Sequence, residues 1–118
     1  MRVGKVRKMP NKISTYKEFW PYYLGEHSNP ICRWLHYGGT TLALITFTLL
    51  LITKSPIYIP IVLICGYGPA WAGHFFIEKN RPATFDYPMW SLISDFRMYL
   101  MWLSGNLGKE LKLYSVKY

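Results

Sequence analysis

Two long uncharged runs occupy the middle of this chain and limit what it can fold into. Residues 37–53 and 57–77 contain no permanently charged side chain, and only Lys54-Ser55-Pro56 separates them. Each run is close to the length that crosses a hydrocarbon core of about 30 Å. The pattern therefore predicts a helical hairpin with its turn at 54–56 that inserts into a lipid bilayer. The alternative is a hairpin buried inside a soluble helical bundle.

The charged residues lie on either side of this hairpin. The 118 residues include 14 basic and 6 acidic side chains, a net charge of +8. Because the basic residues lie at the open ends of the hairpin, we expect an integral membrane protein with both termini in the cytoplasm, at a bacterial inner membrane or the endoplasmic reticulum. The central aromatic residues are not interleaved with Arg or Lys, so we expect no nucleic-acid partner.

The flanking sequence predicts further helices around the hairpin. A first helix begins near Ser14, which can cap it, and Pro21 lies inside its pattern. Asn29 followed by Pro30 is a typical helix start, and a last helix covers residues 89–107. The predicted fold is all-α, a small helical membrane bundle of a central hairpin plus N- and C-terminal amphipathic or re-entrant helices. We expect a basic flexible tail at 1–13, one helical membrane domain at 14–108 and a basic tail at 109–118.

All three histidines lie at the ends of apolar segments. His74 and Glu78 are four residues apart, which on a helix places them on one face, one turn apart. If Asn29 caps the next helix, His27 lies just outside it and His36 two turns inside. Gly66, Gly68 and Pro69 interrupt the second run, and we expect them to loosen the helix before His74.

These groups are candidate ligands of one metal ion. Three imidazoles and a carboxylate suit iron(II) or zinc. The alternative is that each histidine only forms hydrogen bonds at a helix end, while Glu78 pairs with Arg81 or Lys79. Cys32 and Cys65 lie in no CxxC or CxxH pattern, so a structural zinc site is not expected.

Two motifs resemble a known family. They are Glu26-His27-Ser28-Asn29-Pro30 followed by His36, and Gly73-His74-x3-Glu78-Lys79-x-Arg81-Pro82-Ala83. Together they resemble the family that includes the yeast endoplasmic-reticulum 2-hydroxy fatty acid dioxygenase. That resemblance implies a small membrane enzyme that uses Fe(2+) and dioxygen to shorten a long-chain 2-hydroxy fatty acid by one carbon in α-oxidation.

The resemblance also implies roles for individual residues. His27, His36 and His74 match the family's motif histidines and would be metal ligands. Glu78 would be a fourth ligand or an acceptor that orients a histidine. Ser28 stands where the yeast-type motif has a second histidine, and the longer central region of those proteins, with another histidine, is missing.

The remaining candidate catalytic residues are expected to bind substrate. Arg81 or Arg33 could hold the substrate carboxylate through two hydrogen bonds, and the alternative is that both arginines are interfacial anchors. Asn29 completes the candidate catalytic set with Glu78. Two other classes stay open: a non-catalytic membrane scaffold or lipid-binding protein, and a metal-dependent lipid hydrolase. A diiron site of the desaturase type would need about eight histidines, and the chain has three.

Overall fold

The computed structural model describes residues 13–116, and the secondary structure within that range is helical. The five α-helices are α1 (Tyr16–Gly25), α2 (Pro30–Thr53), α3 (Tyr58–Ala72), α4 (Pro88–Leu103) and α5 (Leu107–Leu113). A π-helical turn (Gly73–Glu78) follows α3, and a 3-10 turn (Ala83–Phe85) precedes α4. The all-α prediction is confirmed. The tail predicted for residues 1–13 lies outside the described residues except for Ile13, which is buried.

Helices α2 and α3 form the predicted hairpin. Asn29 caps α2, since its side-chain oxygen accepts from the backbone N–H of Ile31 at 2.8 Å, and Pro30 occupies the first helical position. The helix ends where Lys54 adopts a left-handed conformation with φ of 57°. Residues 30–53 and 58–78 are each long and apolar enough to cross a membrane.

The hairpin leaves much of its apolar surface uncovered. Near the turn, Leu51, Ile52 and Ile64 expose 60%, 71% and 68% of their surfaces. Contiguous exposed apolar surface is typical of a face that contacts lipid or another protein. This end of the hairpin therefore has the surface character of such a face.

The other end of the hairpin is covered by an aromatic core. Phe19, Tyr23 and Leu24 of α1 are fully buried, together with Met98 of α4. The rings of Tyr37 and Trp102 stack with their centroids 4.2 Å apart. Helices α1, α4 and α5 thus form an aromatic core at the end of the hairpin that lies away from the turn at 54–56.

Helix α1 begins one residue later than predicted. Its cap is Thr15 rather than Ser14, and Thr15 Oγ1 accepts from the Glu18 backbone N–H at 3.2 Å. Pro21 lies inside the helix without ending it. The carbonyl that would have accepted from residue 21 belongs to Lys17, which is exposed and so open to solvent.

The C-terminal region differs more from the prediction. The single helix expected at 89–107 is split, because α4 ends at Leu103 and Gly105 takes a φ of 79° that an α-helix does not allow. Residues 109–113, assigned to the basic tail, belong to α5. Leu111 is buried, and Trp20 Nε1 donates to Glu110 Oε1 at 2.7 Å. The packed domain therefore extends beyond residue 108.

Candidate metal centre

Three histidines from separate segments meet beneath the aromatic core. His27 lies in the loop between α1 and α2, His36 in the second turn of α2 and His74 in the π-helical turn. The three side chains are 1%, 5% and 3% exposed. His27 Nε2 lies 3.0 Å from both His36 Nε2 and His74 Nε2, and the three ligand atoms lie within 4.8 Å of one another. The structure therefore brings the three predicted histidines into one group.

The other ring nitrogen of each histidine faces an oxygen atom. His27 Nδ1 lies 2.7 Å from the Tyr23 carbonyl oxygen, and His36 Nδ1 lies 2.9 Å from that of Cys32. His74 Nδ1 lies 2.8 Å from Asn80 Oδ1. Carbonyl oxygens only accept hydrogen bonds, so each Nδ1 carries the proton. The neutral rings then present three unprotonated Nε2 atoms to one another.

This arrangement fits a metal ion. Two unprotonated nitrogens 3.0 Å apart cannot form a hydrogen bond, so their lone pairs repel unless a cation lies between them. Imidazole nitrogen is a common ligand of iron and zinc. Metal-binding histidines usually donate the other ring N–H to a carbonyl or carboxylate, as all three do here.

Burial favours the neutral form that a ligand needs. Burial lowers the pKa of His27 well below its ordinary value, and the neighbouring His36 and His74 add to that effect. A neutral imidazole keeps the lone pair that binds a metal.

Local helix geometry places His74 in the group. Helix α3 continues as an α-helix through Gly66, Gly68 and Pro69, and the loosening predicted just before His74 takes the form of the π-helical turn that begins at Gly73. Pro69 has no N–H for the Cys65 carbonyl, but that carbonyl lies against Gly39 of α2. A neighbouring helix thus covers the group that proline leaves unpaired, which is how membrane helices tolerate proline.

Glu78 contacts the loop of His27. Its carboxylate accepts from Ser28 Oγ at 3.2 Å and from the backbone N–H of Asn29. The group of candidate metal ligands among residues 13–116 consists of the three histidines. The geometry therefore favours Glu78 as a group that holds the loop, while its role as a ligand stays a prediction.

The other predicted site residues lie around this centre. Arg33 is buried and donates from Nη1 to the His27 carbonyl oxygen at 2.7 Å. Arg81 is exposed, 3.3 Å from Asp86 Oδ2, and its guanidinium lies 5.0 Å from the Phe85 ring centre. The Asn29 side chain caps α2. The structure thus places Arg33 and Asn29 beside the histidine loop and Arg81 on the surface.

Sequence reasoning assigned no role to three further residues. Asn80 accepts from His74 and donates from Nδ2 to the Glu26 carbonyl oxygen at 3.0 Å, which fixes the orientation of its amide. Tyr23 accepts from His27 through its carbonyl, while its hydroxyl donates to Asp95. The position of Asp95, which with Arg97 carries the charge of an otherwise apolar and aromatic stretch, was a sequence signal. The Tyr23 carbonyl has no sequence signal.

Comparison with known proteins gives one match. A family model described as 2-hydroxy-palmitic acid dioxygenase Mpo1-like matches residues 13–107, which include all three histidines. No curated protein matches the chain, and no solved structure matches it.

Proposed function

This chain belongs to the 2-hydroxy-palmitic acid dioxygenase Mpo1-like family, and on that premise we propose that it is an iron(II)-dependent dioxygenase that shortens 2-hydroxy fatty acids by one carbon. The observation that carries the proposal is the set of three buried Nε2 atoms that face one another while each Nδ1 proton is bound by an oxygen. A scaffold needs no such convergence of lone pairs.

We propose that the hairpin is embedded in a lipid bilayer. Its two helices are long enough to span the hydrocarbon core, and only 17% of each spanning window is buried within the protein. His36 precedes the end of α2 by 17 residues, or about 26 Å of helix. The metal centre would therefore lie near one membrane surface. Both termini, with most of the basic residues, would be on the cytoplasmic side.

The reaction has a simple balance. The 2-hydroxy acid and one dioxygen molecule give an acid one carbon shorter, carbon dioxide and water. The bond between C1 and C2 breaks, the two carbons together lose four electrons, and dioxygen accepts them. Bound iron would supply oxygen activation and binding positions for the substrate oxygens.

The residues of the chain hold and orient that centre. The three Nε2 atoms would bind the metal, while Tyr23, Cys32 and Asn80 keep the rings in the correct tautomer and orientation. Burial separates the ligands from bulk water.

Neighbouring polar residues support the His27 loop. Glu78 binds the loop through Ser28 and Asn29, and Arg33 binds the His27 carbonyl. Of the proposed catalytic residues, Glu78, Asn29 and Arg33 would act first through the position of His27. Arg81, at the surface, would meet a substrate carboxylate only as it enters.

The test is metal content and product formation with the whole protein. The protein is purified anaerobically in detergent, loaded with iron(II) and mixed with 2-hydroxy-palmitic acid and air, and products are followed by mass spectrometry. We expect one iron per chain and a fatty acid one carbon shorter. The His74→Ala variant should lose iron and product while its helix content, measured by circular dichroism, is retained.

Three results would contradict parts of the proposal. Unchanged iron content in His74→Ala would show that the three histidines are not the iron-binding site. Stoichiometric zinc with turnover that does not depend on oxygen would indicate a hydrolase. Absence of bound metal after loading would favour a scaffold or lipid-binding protein.

A further inference from the structure

A small cavity with both polar and apolar lining residues lies beside two of the three histidines. His36 and His74 form one side, and Trp71, Thr84, Ser91 and Asp95 contribute to the rest. Its volume is about 10 Å³, which is room for about one water-sized group. The space beside the histidines is therefore suited to a single oxygen atom of a ligand.

One side chain of this cavity has an unused hydrogen-bond donor. Trp71 Nε1 is buried and has no hydrogen-bond partner among the described residues. Indole N–H only donates, and a buried donor without an acceptor is rare in native proteins. An oxygen atom bound in the small cavity would supply the acceptor.

A larger, mostly apolar cavity adjoins the small one. Its volume is about 230 Å³, and the two cavities share Tyr67 and Asp95. Helices α2, α3 and α4 line it, through residues that include Thr40, Ala43, Leu63, Gly66 and Phe96.

The larger cavity extends away from the metal centre towards the hairpin turn. Thr40 and Ala43 lie one to two helical turns beyond His36, and Gly66 and Leu63 lie two to three turns before His74. The two cavities thus follow one another, from the histidines into the apolar half of the hairpin.

We propose that the two cavities are one binding site for a long-chain 2-hydroxy fatty acid, with a head-group oxygen bound by Trp71 Nε1–H and the acyl chain in the larger cavity. This inference rests on the proposed function and names the place where its substrate binds. A polar end of limited size next to the metal, continued by an apolar slot, matches a molecule that is oxygenated at one end only.

A substitution at Gly66 would place a side chain in the larger cavity. Gly66 lines the larger cavity, and a Cβ atom there would meet the Ala43 Cβ at 3.7 Å, an ordinary van der Waals contact, so the first atom of an added side chain is accommodated. Gly68 gives a matched control, because it is exposed, does not line the cavity, and a Cβ there would meet nothing within 4 Å. The variants Gly66→Leu and Gly68→Leu therefore add the same group inside and outside the slot.

Binding is measured with the full chain in detergent, using 2-hydroxy-palmitic acid and 2-hydroxyoctanoic acid as probes in calorimetric titrations. We expect Gly66→Leu to weaken the binding of the long acid by about tenfold or more and to leave the affinity for the short acid nearly unchanged. Gly68→Leu should bind both acids like the unmodified protein. Equal affinities of the two variants for the long acid would show that the larger cavity does not hold the acyl chain.

The donor is tested by Trp71→Phe, which removes the N–H and keeps an aromatic ring. We expect about tenfold weaker binding of both acids, with iron content and helix content unchanged. Trp34→Phe is the control, since Trp34 is 61% exposed and lines neither of these two cavities. Unchanged affinity of Trp71→Phe would show that the indole does not bind the head group.

The binding site and the reaction can fail separately. If the binding pattern holds but iron and air yield no shortened acid, the site stands and the dioxygenase proposal fails. If Gly66→Leu forms shortened acids with the same chain-length preference as the unmodified protein, the dioxygenase proposal holds. The proposal that the larger cavity binds the acyl chain then fails.

Discussion

Asn80 turns back to bind the ring of His74, six residues earlier in the chain. Its Oδ1 accepts from His74 Nδ1 at 2.8 Å, and its backbone N–H donates to the His74 carbonyl at 3.0 Å. Both contacts depend on Lys79, whose φ of 59° reverses the chain after the π-helical turn. One residue in a left-handed conformation thus brings the orienting group onto the ligand.

Replacement of Asn80 should weaken metal binding without removing a ligand. Asn80→Ala deletes the acceptor of the His74 Nδ1 proton, and we expect iron affinity to fall by about 10- to 100-fold, as for other groups that orient metal-binding histidines. Asn80→Asp keeps an acceptor and should retain most of the affinity. Metal titration compares these variants with Asn106→Ala, whose amide only contacts Ser104 on the surface. Equal loss in the Ala and Asp variants would contradict an orienting role.

Glu78 should act through the loop of His27. Glu78→Gln keeps one oxygen to accept from the Asn29 N–H, but its NH₂ group can only donate to Ser28 Oγ, so the Ser28 hydrogen bond is reversed and the negative charge that strengthens both contacts is lost. We expect the free energy of unfolding to fall by about 1–3 kcal/mol. Glu18→Gln, the same change on an exposed side chain, should have little effect.

A double-mutant cycle with Ser28→Ala separates this role from direct metal binding. If Glu78 holds the loop, the effects of Ser28→Ala and Glu78→Gln on thermal unfolding should be coupled. Loss of metal in Glu78→Gln with unchanged stability and no coupling would instead identify Glu78 as a ligand.

Gly73 should be sensitive to the addition of one methyl group. A Cβ there would lie 2.9 Å from Cys32 Sγ and 3.3 Å from Cys32 Cα, so Gly73→Ala must push the π-helical turn away from α2. We expect a loss of about 1–3 kcal/mol in the free energy of unfolding. Iron affinity should fall as well, because His74 is the next residue.

Two further variants control this result in thermal unfolding. Gly68→Ala meets no atom within 4 Å and should be neutral or stabilising by up to about 1 kcal/mol. Cys32→Ala combined with Gly73→Ala removes the closest contact and should recover part of the loss. If Gly73→Ala and Gly68→Ala had equal stability, close packing at Gly73 would be refuted.

The hairpin was predictable because its determinants are local. The two helices follow from the uncharged runs on both sides of Lys54, and the start of α2 follows from the cap residue Asn29. Both features can be identified from residues that are adjacent in the sequence. The histidine set was reached through spacing and motif resemblance. The path of α3 was predicted less well: the effect expected of Pro69 depends on whether another helix covers the Cys65 carbonyl, and that contact with Gly39 is tertiary.

The surroundings of the three histidines were less accessible to sequence reasoning. Two of the three groups that bind Nδ1 protons are backbone carbonyls, of Tyr23 and Cys32, which any residue type supplies. The contact between Tyr23 and Asp95 joins residues 72 positions apart. Such partners become visible only when the helices are placed together.

Asp95 should make stability depend on pH between about 4 and 7. Burial raises the pKa of its carboxyl to about 7, although the hydrogen bond from Tyr23 acts in the opposite direction. In the unfolded chain the pKa is about 4. The folded protein therefore keeps a proton that the unfolded chain has released, so this contribution to stability is full below pH 4 and is lost as the pH rises to 7.

The comparison of the unmodified protein with Asp95→Asn isolates this contribution. Asparagine does not titrate and can still accept from the Tyr23 hydroxyl, while the titrations of His36 and His74, which line the same cavity, are common to both proteins. A difference of about three pKa units between the folded and unfolded states corresponds to a relative gain in stability for the variant of up to about 4 kcal/mol between pH 4 and 7, and we expect no further change above pH 8. Thermal unfolding in detergent at one-unit pH intervals measures the difference. A constant difference from pH 4 to 8 would mean that Asp95 is ionised throughout this range in the folded protein, and that the apolar surroundings of α4 do not control its charge.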